Sequence, residues 1–216
     1  MTSRDSGTRT RKAPTERRQE IVRAAALVGL TDGLECITLR RIADELGVQP
    51  GLVSHYFRAA DILVAEAFTS ATGAELDGLL PQAPEGPGHE TPLSTLRRFF
   101  ALIAGTEFDN VSKLWLNARH LARYRPVLRD HVVEQELLWC RRLEQLIAAG
   151  VAAQLFRCAD PWTAAVRILV AIDGTSAYVN TSAGSRTDPI AHLARTVAET
   201  ELGLPPDTLA YRRSPS

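Results

Sequence analysis

A glycine set between two short apolar-striped segments, in the run Thr38 to Phe57, constrains this chain more than any other feature. Leu39, Ile42, Ala43 and Leu46 recur at i, i+3, i+4 and i+7, which predicts a short helix after a Thr38 cap with one side buried. Gly47 falls where that helix should stop, because glycine enters the left-handed region without steric cost, and Val48 turns back inward. Gln49-Pro50 restarts a helix, since proline suits the first helical position. In this second helix Val53 and Phe57 form the inward pair, while Leu52, Ser54, His55 and the ring of Tyr56 occupy outer positions. Two short helices joined by a tight glycine turn form a helix-turn-helix, whose second helix can enter the major groove of DNA.

The run Leu39-Arg40-Arg41-Ile42-Ala43-Asp44-Glu45-Leu46-Gly47-Val48, followed by Gly51-Leu52-Val53-Ser54-His55-Tyr56-Phe57, resembles the DNA-binding domain of the TetR family of bacterial repressors. Its Leu-Val-Ser-His-Tyr-Phe ending is most similar to the branch around the choline-responsive BetI repressor. The resemblance implies an all-α fold, with a three-helix DNA-binding head and a larger helical domain for effector binding and dimerisation. It implies a division into a basic tail (1–13), the head (14–59), the body (60–202) and a second tail (203–216). One departure stands out. Heads of this family usually have a Ser-Lys-Glu type start after the aromatic pair, and this chain has Arg58-Ala59-Ala60-Asp61. The cap and the phosphate-contacting lysine are both missing, which leaves Arg58 as the neighbouring source of charge. Without it, non-specific affinity is expected to be weaker, because each lost phosphate contact removes counterion release.

Charge distribution matters more than its sum. The 216-residue chain has no formal net charge, but residues 1–60 hold ten of its 25 basic residues and only seven of its 25 acidic ones. A mildly basic head on a mildly acidic body suits phosphate contacts confined to one end. The longest apolar stretches, around Ile168–Ile172 and Ile147–Ala153, fall short of the roughly 20 residues a bilayer span needs. The first twenty residues lack an apolar signal core. Cys36, Cys140 and Cys158 are scattered, with no C-x-x-C pair, and read as reduced thiols of a cytoplasmic protein rather than metal ligands.

In chain order, the polar residues 1 to about 13 are expected to form a free tail, and Arg4, Arg9, Arg11 and Lys12 could equally reach DNA. A first helix is predicted from Thr15, carrying Ile21, Ala25 and Val28 inward and ending by Asp32-Gly33. A fourth helix runs from about Ala60 to Leu80. Pro81 to Pro92 reads as a surface loop. Helices are predicted beyond it at about 92–106, 109–124, 126–149, 160–183 and 188–202, with Gly150 as one of the breaks. Residues 203–216 are expected to fray.

The DNA-contacting residues follow from the outer side of the second short helix. Gln49, Ser54 and His55 are the base-edge candidates, with the backbone of Pro50 and Gly51 and the side chain of Leu52 close to the groove. Thr38, Tyr56, Arg40 and Arg58 are the phosphate candidates, which position the helix without reading sequence. In the body, Phe100, Trp115, Asn117, His120, Trp139 and Arg142 mix aromatic area with a few polar groups and are the candidate effector lining. The two tryptophans could form part of a box for a quaternary ammonium ion, or could simply be packing. The stretch Trp162 to Val179 is apolar over most of its circumference, so it is buried on more than one side. The resemblance implies that the last two long helices pair with their copies in a second subunit. That role falls on Trp162, Val166, Leu169, Asp173, Tyr178, Leu193 and Val197.

No phosphate loop, nucleophile elbow or paired-carboxylate pattern is visible, and the five histidines are dispersed. His131 with Glu134 is a helical pair of metal-ligand spacing and reads as a solvated face. No cofactor, metal or catalytic residue is expected. The expected partners are a DNA operator, a small-molecule effector and a second copy of the chain, with no membrane. The alternatives are a TetR-like protein governed by a protein partner or by no ligand, and a helical enzyme or scaffold with an incidental helix-turn-helix.

Overall fold

The computed structural model describes residues 13–82, 90–105, 108–181 and 188–210. Most of the basic tail, with Arg4, Arg9, Arg11 and Lys12, the centre of the proline-rich loop and residues 211–216 lie outside the described residues. The described chain is all helical: α1 (Pro14–Asp32), α2 (Leu39–Glu45), α3 (Pro50–Tyr56), α4 (Ala60–Leu79), α5 (Pro92–Ile103), α6 (Asp109–Ala122), α7 (Pro126–Ala152), α8 (Pro161–Thr181) and α9 (Asp188–Glu201). A short 3-10 helix, Leu34–Cys36, links α1 to α2.

Helices α1 to α3 make the head. Ile21, Ala25 and Val28 of α1 are buried with Ile42 and Ala43 of α2 and with Val53 and Phe57 at α3. Thr38 caps α2, its hydroxyl oxygen accepting from the Arg41 N–H at 3.1 Å. Gly47 has φ +61°, and across it the N–H of Val48 reaches Ala43 O (3.0 Å) while that of Gly47 reaches Asp44 O (3.1 Å). These two bonds take up carbonyls that the end of α2 would otherwise leave open, which is why the chain can turn there so tightly. Helix α3 has only seven residues, too few to be stable alone, so its position depends on Val53 and Phe57.

Helix α4 leaves the head and enters the body, where α4 to α9 pack around Phe68, Leu96, Phe99, Leu114, Leu128, Leu143 and Ile168, each 2% exposed or less. Two expectations fail here. Gly150 does not end α7; the helix runs on to Ala152. The glycine instead admits the ring of Phe156, since a Cβ at position 150 would lie 2.0 Å from Phe156 Cδ2. Nor do residues 203–210 fray. The Glu199 carboxylate accepts from the N–H groups of Asp207 (3.1 Å) and Leu209 (2.8 Å), Arg97 Nε donates to Thr208 O (2.7 Å), and Leu209 is buried. A polar, proline-containing sequence concealed this, because the anchors are one buried carboxylate and one leucine. No described helix is long and apolar enough to cross a membrane.

Candidate DNA-reading surface and effector cavity

The outer side of α3 is uncovered by the rest of the described chain. Gln49, Pro50, Gly51, Ser54 and His55 are exposed, and Leu52 and Tyr56 half-buried. Thr38, Arg40 and Arg58 flank them and are exposed as well. Ser54 Oγ donates back to Pro50 O at 3.2 Å, and the rings of His55 and Tyr56 meet edge to face at 5.3 Å. Behind this surface the Arg18 guanidinium lies 4.7 Å from the centre of the Phe57 ring and pairs with Glu66 of α4. Helix α3 is thus braced from α1 and α4 together. Arg41 is engaged by Glu45 (2.7 Å) and Asp32 (2.9 Å).

In the body, a cavity of about 270 Å³ opens between α5, α6, α7 and α8. Trp115, Trp139, Phe99 and Phe108 supply aromatic wall, and Arg119, Glu136 and Asp173 are its charged groups. Arg119 Nε donates to Glu136 Oε1 at 2.9 Å and Nη2 to Asp173 Oδ2 at 2.7 Å, while the guanidinium lies over the Trp115 ring, 5.0 Å from its centre. Phe68 packs edge-on to Trp115. Burial works against the charge on Arg119, but Asp173 and Glu136 outweigh it and the net direction of its pKa is upward. Burial also pushes the Asp173 carboxyl up, even with Arg119 beside it. Behind Trp115, Glu75 of α4 accepts from the indole Nε1 at 3.4 Å; burial drives its pKa up to about 8, against the favourable indole bond. Its Oε1 is buried without a hydrogen-bond partner among the described residues, as is Trp139 Nε1.

The sequence-predicted effector residues divide. Trp115 and Trp139 line this cavity, and Phe100 lines an adjoining one of about 410 Å³ near Arg195. Asn117, His120 and Arg142 do not line either. Asn117 turns to the head, where its Oδ1 accepts from Leu34 N–H (2.9 Å) and its Nδ2 donates to the Glu35 carboxylate (2.8 Å). His120 is exposed against Tyr124, and Arg142 donates to Leu80 O (2.6 Å) and Asp77 (3.3 Å) at the end of α4. The residues missed were Glu75, Arg119 and Glu136. Arg119 lies one turn beyond Trp115, and Glu136 one turn before Trp139, so helical spacing from the tryptophans would have found both.

The subunit-pairing residues divide too. Trp162, Tyr178 and Leu193 are exposed, and Val197 is half-buried. Val166, Leu169 and Asp173 line the cavity. The solvent-facing stripe of α8 is Arg167, Val170, Gly174 and Tyr178, on the neighbouring side of the helix. Val170, 63% exposed, borders both.

The family model described as "BetI-type transcriptional repressor, C-terminal" matches residues 90–203, just over half of the chain. The chain belongs to this BetI-type branch of the TetR family of transcriptional regulators. That makes it a regulator rather than an enzyme. Solved structures agree on the fold. A TetR-family transcriptional regulator from Rhodococcus sp. is 23% identical, with 87% of this chain and 99% of that one covered at a TM-score of 0.71. A transcriptional regulator from Saccharomonospora viridis, solved in complex with choline, is 21% identical, with 86% and 95% covered and a TM-score of 0.67. A TetR-family regulator from Cytophaga hutchinsonii is 18% identical, with 90% and 98% covered and a TM-score of 0.70. No curated protein matches.

Proposed function

We propose that this regulator is a cytoplasmic, dimeric repressor that leaves its operator when a small organic cation enters the cavity between α5 and α8. The observation that carries this reading is the composition of the cavity wall. Two tryptophans supply π-faces that attract a desolvated cation, and Glu136 and Asp173 together exceed the single charge of Arg119. The choline bound to the S. viridis relative is a ligand of that chemistry.

At the other end, α3 of each subunit enters a major groove. Gln49, Ser54 and His55 read base edges beside Pro50, Gly51 and Leu52, while Thr38, Arg40, Tyr56 and Arg58 hold phosphates. The division at about residue 60 into head and body follows the same reading. The two ends are joined twice. Trp115 is hydrogen-bonded to Glu75 of α4, which continues into the head, and Asn117 of α6 is bonded to Leu34 and Glu35. An effector that favours one position of Trp115 therefore favours one position of α4 and one spacing of the two heads, which is what coupling requires. Outward-facing Val170, Tyr178 and Leu193 on α8 and α9 supply the apolar area for subunit pairing.

The test is gel retardation of duplex DNA from upstream of the chain's own gene, repeated with choline and with an uncharged isostere, 3,3-dimethylbutanol. Release by choline and not by the isostere is expected. Equal release by both, or by neither, overturns the cation reading, and an unshifted duplex overturns the assigned operator.

A further inference from the structure

The face of Trp115 that a cationic effector would use already carries a cation belonging to the protein. The Arg119 guanidinium lies over that ring at 5.0 Å and donates to both cavity carboxylates, Glu136 at 2.9 Å and Asp173 at 2.7 Å. Taking the preceding reading of the effector as its basis, we infer that Arg119 is a tethered occupant of the effector's own seat, which the effector binds by displacing.

The chemistry on both sides of this exchange is the same. A guanidinium and a quaternary ammonium each gain from an aromatic face and from carboxylates beside it. An arginine held at this spot keeps Glu136 and Asp173, both half-buried, compensated while the cavity is empty, where two neighbouring carboxylates without a cation would repel one another. The arrangement also sets specificity. A neutral ligand of the same shape cannot replace the guanidinium, because it would leave both carboxylates unpaired. An anion would be drawn to Arg119 and repelled by its two partners, so it gains little from the site. Selection for positive charge thus comes from the resident side chain as much as from the ring.

Displacement has a direction. Arg119 stands two residues from Asn117 on α6, and Asn117 is bonded to the head at Leu34 and Glu35. Moving the arginine off Trp115 removes the side-chain bonds from α6 to α7 and α8 at Glu136 and Asp173, while the bond to the head remains. Helix α6 then keeps its bond to α8 near its start, where Asn180 Nδ2 donates to Ser112 Oγ at 2.8 Å, and its later turns can shift about that point and carry the head with them.

The test uses the full chain in the wild-type form and as Arg119→Met and Arg119→Ala. Choline is titrated by calorimetry into the wild type and Arg119→Met, and methylguanidinium is titrated into the wild type and Arg119→Ala with thermal unfolding as a second readout. Expected is choline binding about tenfold tighter to Arg119→Met than to the wild type, the size of one partly desolvated cation–π contact regained. Methylguanidinium is expected to raise the unfolding temperature of Arg119→Ala, and not of the wild type, by refilling the seat. Because that rescue is read as folding, it keeps the test decisive if the variants are destabilised. Choline binding to Arg119→Met no tighter than to the wild type, or methylguanidinium acting on both proteins alike, overturns the inference with the cation effector still standing. Choline binding to neither form overturns the cation effector itself, and this inference with it.

Discussion

The two ends of this molecule bring polar groups together by opposite means. At α3 the candidate DNA-reading groups lie within ten consecutive positions, Gln49 to Arg58, and fewer than two turns of helix separate Gln49 from Ser54 and His55. In the cavity no such run exists: Trp115 and Arg119 come from α6, Glu136 and Trp139 from α7, Asp173 from α8, with Glu75 of α4 behind them. The head surface is specified by local spacing and needs only a small core beneath it. The cavity is specified by how four helices cross, so each charged group there is held by partners distant in sequence. Damage to the core under α3 should therefore abolish DNA binding outright, while damage in the cavity should alter response with the fold retained.

The largest effect that would break this contrast is at Phe57, which is fully buried beneath α3. Phe57→Ala is expected to cost about 3–5 kcal/mol, and to remove DNA binding while the body stays folded. Denaturant unfolding followed by circular dichroism, with binding measured beside it, checks this; full binding by the variant would show that α3 does not depend on its core. Next comes Glu75, where the sign can be worked out. Its folded pKa of about 8 lies above the ordinary value of 4.5, so the folded state holds a proton that the unfolded state loses as pH rises between those values. Stability contributed at low pH is then lost from about pH 4.5 up to about pH 8, and by roughly 5 kcal/mol at most. Glu75→Gln, which keeps the acceptor for Trp115, is expected to flatten that decline in unfolding temperature; an unchanged pH profile would remove the buried carboxyl from the account.

Smaller effects sharpen the reading of α3. His55→Ala is expected to relax preference at particular base pairs by about 1–3 kcal/mol, and Tyr56→Phe to weaken binding to all duplexes alike. Fluorescence anisotropy on a panel of single-base operator variants separates the two, and a reversed pattern would exchange their roles. Smallest of all, Ala60→Lys at the first position of α4 is expected to steepen the log–log salt dependence of binding by about one. An unaltered slope would mean that position 60 does not face phosphate.

Legibility in the sequence followed the same division. Helix periodicity and the proline and glycine breaks placed α1 to α9 within a few residues, and the Gly47 turn was readable because its bonds span only Ala43 to Val48. Gly150 misled because an interior helix glycine and a terminal one look alike in one dimension; the difference is the Phe156 ring, six residues away. Asp173 is a related case. A lone acid on the otherwise apolar α8 signals a buried partner, but that partner, Arg119, is 54 positions earlier in the chain. Asn117 looked like a pocket amide and proved to be a joint with the head. In each case the deciding group lies outside the helix that carries the residue.

That joint bears on how such proteins can be recombined. Because one amide side chain of the body satisfies a backbone N–H of the segment Leu34–Cys36, the two halves are not interchangeable cassettes: a chimaera placing this head on a foreign body inherits an open donor at Leu34 unless the recipient helix offers an acceptor at the equivalent spot.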